Sequence, residues 1–220
     1  MHQLERPEAP TCLSKYRHSR HQWKDLTAED KNEIWQQLEK MQLKRCAYCE
    51  CKMILHPERQ DVHIEHFRPK STYPQGTFEW KNLFGSCIHQ DSCGRHKDHC
   101  GPYDTNDLIK PDEEDPEAYF LFVSDGTIVP RQGLSEKDKK RAEVTLQVFN
   151  LDAKHGRLQS MRRSAVSPYL DTAETLLEIA QAYGEDAYNS SLQGELEDIK
   201  ALPFVTAIKH VLMGVSTKLS

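Results

Sequence analysis

The 220-residue sequence contains no long hydrophobic run and no apolar segment after a basic start. Its longest apolar stretch, residues 119–123, is far too short to cross a bilayer, because a membrane-spanning helix needs about 20 apolar residues. We therefore expect a soluble, cytoplasmic protein with no membrane partner. Internal repeats are also absent. Charged residues make up 29% of the chain and aromatic residues 8%, a composition that indicates a globular protein.

The sequence lacks the Gly-x-x-x-x-Gly-Lys-Ser/Thr loop that holds the phosphates of ATP, so we do not expect this chain to hydrolyse ATP itself. An excess of positive charge is lacking too, since the net charge is −5. The charge is unevenly distributed, however. Residues 1–110 carry 17 Lys and Arg against 16 Asp and Glu, whereas residues 111–220 carry 12 against 18. This asymmetry permits nucleic-acid binding by the first half.

Cysteine is absent after residue 100, and six of the seven cysteines lie within residues 46–100. In a cytoplasmic chain such a concentration indicates a metal site rather than disulfides. Cys46 and Cys49 have the spacing of a zinc knuckle, and we expect Cys87 and Cys93 to complete a structural zinc site. The second pair is spaced more widely than usual, so one of its members could be replaced by Cys51, His89, His99 or Cys100.

Three polar residues between and beside these cysteines are the candidate catalytic group: Glu65, His66 and Asn82. Hydrolysis of a phosphodiester needs a base that deprotonates water and a cation on the phosphate. Histidine suits the role of base, and a carboxylate can hold a divalent ion such as Mg²⁺. Adjacent residues of a strand face opposite ways, so a bend near residues 68–69 is needed to bring both groups into one site.

The pattern of elements predicts an α+β protein in three parts. Residues 1–45 form a basic and aromatic arm and a helix that begins with a capping box at Thr27. Residues 46–110 form the core that contains the zinc site and the candidate catalytic group. Residues 111–220 form an acidic linker, a β-hairpin with an Asp-Gly turn at residues 125–126, and a largely helical region that we expect to dock a partner.

Within the central part we expect a loop over residues 51–61, a strand over residues 62–67, a loop and a strand over residues 78–87, and a helix from Cys93. In the last part we expect helices from Ser135, over about residues 153–164, and from Phe204. Ser167 and Pro168 are expected to cap and restart a further helix. We expect the helix from Ser135 to have an apolar face formed by Ala142, Thr145, Leu146 and Phe149. We expect the restarted helix to have one formed by Leu170, Ala173, Leu177 and Ala180.

The N-terminal arm, residues 15–24, mixes basic and aromatic side chains. It could grip phosphates and stack on a base. It could equally be a solvated surface segment with its two aromatic side chains packed into the core. The composition suits both interpretations.

The motifs of the central part resemble those of a known family. They are Cys-Ala-Tyr-Cys-Glu at residues 46–50, Ile-Glu-His-Phe-Arg-Pro-Lys-Ser at 64–71, Trp-Lys-Asn-Leu-Phe at 80–84 and Cys-Gly-Arg-His-Lys at 93–97. They resemble the HNH endonuclease subunit of Septu-type and retron-associated anti-phage systems, a zinc-stabilised ββα-metal nuclease. A looser likeness extends over residues 141–163.

This resemblance implies that His66 is the general base, that Glu65 binds a catalytic Mg²⁺ or another divalent ion, and that Asn82 orients the site. It also implies a further metal ligand in the last helix. The family often has His or Asn directly after the second cysteine, where this chain has Gly94, so His96 is our candidate for that ligand and His99 is the alternative. His63 could also approach the metal. Basic residues that we expect to contact phosphates are Arg68, Lys70, Arg95 and Lys97.

The resemblance further implies a companion ATPase and, in retrons, a reverse transcriptase with its RNA–DNA hybrid. We therefore predict a metal-dependent endonuclease that works with such partners in anti-phage defence. One alternative keeps the enzyme class but makes the substrate an RNA such as tRNA. The other is a zinc-stabilised binding or scaffold subunit with an inactive site.

Overall fold

A computed structural model describes residues 1–56, 59–153 and 156–214. Its strands are β1 (Leu55–His56), β2 (Arg59–Gln60), β3 (Val62–His66), β4 (Leu83–Cys87), β5 (Phe120–Phe122) and β6 (Ile128–Pro130). Its α-helices are α1 (Ala28–Gln42), α2 (Cys93–Lys97), α3 (Glu136–Phe149), α4 (Arg157–Val166), α5 (Leu170–Tyr183), α6 (Glu185–Ile199) and α7 (Val205–Leu212). Short 3₁₀ helices occupy Thr11–Lys15, Trp23–Asp25, Pro74–Phe78, Trp80–Asn82, Thr105–Asp107, Pro116–Ala118 and Ser167–Tyr169. The fold is therefore α+β, as predicted.

Helix α1 begins at the predicted capping box. The Oγ1 atom of Thr27 accepts a hydrogen bond from the Asp30 amide at 3.1 Å, and the Asp30 carboxylate accepts one from the Thr27 amide at 3.2 Å. These contacts satisfy amides that have no partner inside the helix. The side chains of Ile34 and Leu38 are fully buried. The helix ends at Gln42, whose side-chain amide donates to the Gly85 carbonyl at 2.9 Å, so α1 packs against the strand that contains Gly85, β4.

Strands β3 and β4 pair in antiparallel fashion, with Glu65 opposite Phe84, and α2 follows them in the chain. The predictions of a strand from residue 62 and a helix from Cys93 are confirmed. The loop predicted over residues 51–61 is wrong in part, because β1 and β2 form a short antiparallel pair there. Its strands are only two residues long, which is too short for a period of two to be visible. Residues 57 and 58 lie outside the described residues.

The first elements of the last part agree with their predictions. Strands β5 and β6 form the predicted hairpin, with Gly126 at a φ of +91° in its turn. The Oγ atom of Ser135 accepts from the Asp138 amide at 3.1 Å and caps α3. Phe149 is fully buried on the predicted face of α3, whereas the predicted Leu146 is only half-buried.

The helices after α3 differ from their predictions. Helix α4 begins later than expected, at Arg157, and residues 154 and 155 lie outside the described residues. Ser167 does not cap a new helix: its backbone is helical, with φ −50° and ψ −42°, so the chain continues into a 3₁₀ turn. Leu170 and Leu177, expected in the core, are 41% and 47% exposed, because α5 buries Leu176 instead.

The first, central and last parts of the chain contribute to one cluster of buried apolar residues. Tyr48 stacks on Phe149 of α3, with ring centroids 4.1 Å apart. The carboxylate of Glu50 accepts hydrogen bonds from the Thr206 amide at 3.0 Å and from its hydroxyl at 2.7 Å. These contacts join the segment that carries Cys46 and Cys49 to α3 and α7. Within the described residues, no helix is long and apolar enough to span a membrane.

Candidate active site and metal centre

The four predicted zinc ligands lie together. The Sγ atoms of Cys46, Cys49, Cys87 and Cys93 are all within 4.8 Å of one another, and all four side chains are buried. Bonds of about 2.3 Å to a tetrahedral zinc ion place thiolates about 3.8 Å apart, so this donor set fits a structural zinc site. The amide of Cys87 donates to the Sγ atom of Cys46 at 3.5 Å, which supports a thiolate there. None of the four alternatives is a member of this group.

Glu65 lies on β3, at the wall of a cavity of about 830 Å³. Its side chain is 3% exposed. One carboxylate oxygen is 2.9 Å from the Nε2 atom of His63, and the other is 2.8 Å from the Nζ atom of Lys97 in α2. Burial alone would raise the pKa of Glu65, but the hydrogen bond from His63 and the Lys97 ammonium lower it overall. The carboxylate is therefore ionised at neutral pH.

His66 is the last residue of β3 and lines the same cavity. Its Nε2 atom donates to the carbonyl of Thr77 at 3.0 Å, since a carbonyl can only accept, so the lone pair is on Nδ1. The Nζ atom of Lys70 is 3.4 Å from that Nδ1 atom. Burial, followed by the charge of Lys70, lowers the pKa of His66 to about 4. The ring is therefore neutral at pH 7.

Asn82 holds the chain that follows His66. Its Oδ1 atom accepts from the Arg68 amide at 2.8 Å, and its Nδ2 atom donates to the carbonyls of Arg68 at 3.0 Å and Gly76 at 3.1 Å. Every polar atom of the amide group is thus bonded to the backbone of one loop, residues 67–77. Asn82 is predicted from the sequence to orient the site, and these hydrogen bonds show that it contacts the backbone of Arg68 and Gly76.

Of the four predicted phosphate contacts, Arg95, Lys70 and Lys97 line the cavity. Lys97 differs from the others because it is 2% exposed and is paired with Glu65. Burial would lower the pKa of Lys97, but the carboxylate of Glu65 raises it overall. Arg68 is exposed and lies over the ring of Tyr73, with its Cζ atom 5.3 Å from the centroid.

The structure does not bring His96 to the cavity that contains Glu65. Its Nδ1 atom donates to the carbonyl of Val148 in α3 at 2.9 Å, and its ring is not among the residues that line the cavity. His99 is exposed and donates from Nδ1 to the Arg95 carbonyl at 2.8 Å. The geometry therefore gives no support to either residue as a ligand of an ion at Glu65.

Two aromatic residues of the cavity come from outside the motifs. Trp23 meets the ring of His66 edge to face, with centroids 4.5 Å apart, so the N-terminal arm covers the candidate base. Tyr16 stacks on Phe78 at 5.1 Å, whereas Arg17 and Arg20 are exposed. The arm thus combines packed aromatic rings with a solvated basic edge.

Tyr103 is the second of these aromatic residues that line the cavity, and no motif pointed to it.

No protein-family model matches the chain. The Septu protein PtuB of Bacillus thuringiensis is 29% identical over 191 residues, which are 82% of this chain and 65% of PtuB. The retron Vc95 putative HNH endonuclease of Vibrio cholerae serotype O1 biovar El Tor is 27% identical over 150 residues, which are 63% of this chain and 69% of that protein. The chain therefore spans about two thirds of the length of these relatives. The family resemblance expected from the motifs is confirmed: the chain is a distant relative of PtuB and of this retron protein.

Proposed function

We propose that this chain is a divalent-metal-dependent HNH endonuclease with a ββα-metal core, and that it acts in anti-phage defence of the Septu or retron kind. The observation that carries the proposal is that Glu65 and His66 line one cavity. Asn82 holds the adjoining loop, and four clustered cysteines lie at the other end of the same strands. The names of the two relatives support the same class of protein.

His66 is the general base in this proposal. Its neutral Nδ1 atom can accept a proton from a water molecule, while the bond from Nε2 to Thr77 keeps the ring in one orientation. Arg95 and Lys70, which line the cavity, contact the phosphate. Asn82 fixes the backbone at Arg68 and so keeps the loop from moving away from His66.

The carboxylate of Glu65 holds the catalytic ion in this proposal. Among the described residues, no group of three or more His, Cys, Asp or Glu side chains surrounds it, since the four cysteines form the group found. A site with few protein ligands suits Mg²⁺, because this ion keeps several water molecules and takes its remaining ligands from the phosphate oxygens of the substrate. When bound, such an ion neutralises charge on the scissile phosphate and the leaving oxygen.

A second candidate function is a zinc-stabilised binding or scaffold subunit with an inactive site. Two observations favour it. Both carboxylate oxygens of Glu65 are already engaged, by His63 and Lys97, and Gly94 offers no side chain at the position of the family's usual ligand. The two candidates differ in whether His66 is needed for cleavage.

The test compares the wild type with His66→Ala and, as a control, His89→Ala, which changes an exposed histidine that does not line the cavity. Each zinc-loaded protein is mixed with the companion ATPase of its defence locus and with plasmid DNA or total tRNA, with and without Mg²⁺. We expect Mg²⁺-dependent cleavage by the wild type and His89→Ala, and a loss of about 100-fold or more in His66→Ala.

The polymer that is shortened identifies the substrate, DNA or RNA. Cleavage that persists unchanged in His66→Ala would contradict the proposed site. The absence of cleavage in every mixture, with zinc content and partner binding verified, would favour the scaffold function.

We further propose that α5 and α6 dock the companion ATPase through a basic surface of that partner. Residues 164–199 contain eight Asp and Glu and no Lys, Arg or His. All eight lie in α5 and α6, which pack against each other and against α7. On this acidic hairpin, Leu177 is 47% exposed and Tyr183 78% exposed. Exposed apolar side chains surrounded by acidic ones are the complement of an apolar patch with a Lys- and Arg-rich rim.

The docking test uses Glu174→Lys/Glu178→Lys on α5. The control is Glu136→Lys/Glu143→Lys on α3, which makes the same charge change at exposed positions elsewhere. We expect the first pair to weaken binding of the co-expressed ATPase at least tenfold in a titration, with the larger effect at low salt. Equal effects of both pairs, or none from the first, would exclude the acidic hairpin as the docking surface.

A further inference from the structure

His63 and Glu65 lie on the same face of β3, because side chains two residues apart along a strand point the same way. The Nε2 atom of His63 is 2.9 Å from the Oε2 atom of Glu65. An octahedral Mg²⁺ ion with bonds of about 2.1 Å has neighbouring ligands about 3 Å apart. The two atoms therefore already have the separation of two adjacent ligands of one ion.

The ring of His63 is not used to hold the fold together. Its Nδ1 atom is buried and has no hydrogen-bond partner among the described residues, and its other nitrogen contacts Glu65. The side chain lines the cavity beside Glu65 and His66. His63 is 20% exposed, so its imidazole is partly buried, and its one polar contact is with the candidate metal ligand Glu65. Such an imidazole is itself a candidate ligand.

Helix α2 offers no ligand on the other side of Glu65. A Cβ atom at Gly94 would lie 2.4 Å from the Oε2 atom of Glu65, so no side chain fits there unless the carboxylate moves. The ring of His96 is bonded to Val148 in α3. The residue of α2 that reaches Glu65 is Lys97, a cation, and it pairs with Oε1 rather than with Oε2.

We propose that His63 is the second protein ligand of the catalytic ion, with Glu65 as the first, so that β3 alone supplies the metal site. This inference rests on the proposed function, because it concerns the ion of that site. Lys97 holds one oxygen of Glu65. With the ring proton of His63 on Nδ1, its Nε2 atom and the other oxygen of Glu65 would both offer lone pairs to the ion. The site differs from the pattern expected from the motifs, in which α2 contributes a ligand.

The test measures binding of Mn²⁺ alone, by electron paramagnetic resonance and calorimetry, to zinc-loaded protein without substrate. The variants are His63→Ala, Glu65→Gln and His96→Ala, and all must retain wild-type zinc content and thermal midpoint. We expect His63→Ala and Glu65→Gln each to weaken Mn²⁺ binding by about tenfold or more. His96→Ala should remain within about twofold of the wild type, because its ring lies outside the cavity.

Loss of Mn²⁺ affinity in His96→Ala with none in His63→Ala would overturn the inference, as would a wild type that binds no Mn²⁺. Should His63→Ala fail to fold, His63→Gln replaces it and is judged by the same titration. Because this test measures Mn²⁺ binding and not cleavage, it can contradict the role of His63 without contradicting the nuclease function, and the cleavage test can do the reverse. Mn²⁺ binding that depends on His63 in a protein that cuts nothing supports this inference and contradicts the nuclease function.

Discussion

Gly94 is the residue on which the position of Glu65 depends most directly. Its missing side chain leaves the space that the Glu65 carboxylate fills, since an added Cβ atom would also lie 2.7 Å from Cδ of Glu65. Both residues are buried, so the crowding cannot be relieved toward solvent. A glycine here therefore belongs to the site even though it has no group that reacts or binds.

We expect Gly94→Ala to destabilise the protein by about 1–3 kcal/mol and to displace Glu65, because overpacking of a close-packed interior forces neighbours to move. Gly194→Ala is the matched control, since Gly194 lies in α6 with no atom within 4 Å of an added Cβ. That control should stabilise the protein by about 0.5–1 kcal/mol, because alanine favours a helix. Chemical denaturation measures both.

A Gly94→Ala variant as stable as the control would contradict the close approach of α2 and Glu65. The position of the carboxylate can be checked in the same variant by a crystal structure.

Single residues of the site were predicted unevenly from the sequence. The four clustered cysteines, Glu65, His66 and Asn82 occur in motifs whose spacing is evident from the sequence. His63 was expected only as a residue that could also approach the metal, and Lys97 only as a phosphate contact. Their contacts with Glu65 depend on which way a short strand and a one-turn helix face each other. No period or motif encodes that orientation. Trp23 belongs to the cavity only because the arm folds back over His66.

At the scale of elements, the loop of residues 67–77 depends on one amide group. The three hydrogen bonds of Asn82 join Arg68 near the beginning of the loop to Gly76 near its end. Asn82 is itself 4% exposed, so water cannot replace these bonds. The loop is therefore fixed from β4, the strand that pairs with the strand carrying His66.

We expect Asn82→Asp to destabilise the protein by about 2–3 kcal/mol, because a buried carboxylate oxygen would then face two carbonyl oxygens. Amides of residues 68–76 should exchange with deuterium faster in this variant, as measured by mass spectrometry. Asn106→Asp, at an exposed position, is the control and should change neither quantity. Unchanged exchange in Asn82→Asp would mean that other contacts hold the loop.

Elements with strong local signals were predicted well. Helix α1 has a capping box and an apolar stripe, and the hairpin of β5 and β6 has an Asp-Gly turn, so both were evident from sequence. The faces of α5 were not, since Leu170, Leu176 and Leu177 offer two possible stripes. Contact with α6 and α7 decides which leucine is buried, and this is tertiary packing rather than local preference.

At the scale of the whole molecule, the four-cysteine cluster ties β4 and α2 to the segment after α1. Metal binding of this kind contributes directly to folding, because the site does not exist in the unfolded chain. The fold of the central part should therefore depend on zinc.

We expect Cys49→Ser to lose its zinc and its near-UV circular dichroism. A structural zinc ion contributes about 10–16 kcal/mol, which is comparable with the about 5–15 kcal/mol by which a typical domain is stable. Cys100→Ser, at a half-buried cysteine outside the cluster, is the control and should bind one zinc ion per chain. Mass spectrometry under native conditions gives the stoichiometry. A Cys49→Ser variant with full zinc content would show that another residue supplies the fourth ligand.

The pair of Glu50 and Thr206 has a consequence for regulation. Glu50 lies between Cys49 and Cys51, and Thr206 lies in α7, on which α5 and α6 pack. We therefore expect zinc binding at the clustered cysteines and binding of the proposed partner to α5 and α6 to be thermodynamically linked. Such linkage is reciprocal: if zinc strengthens partner binding by some factor, the partner strengthens zinc binding by the same factor. A chain bound to its partner would then hold zinc against chelators that strip the free chain.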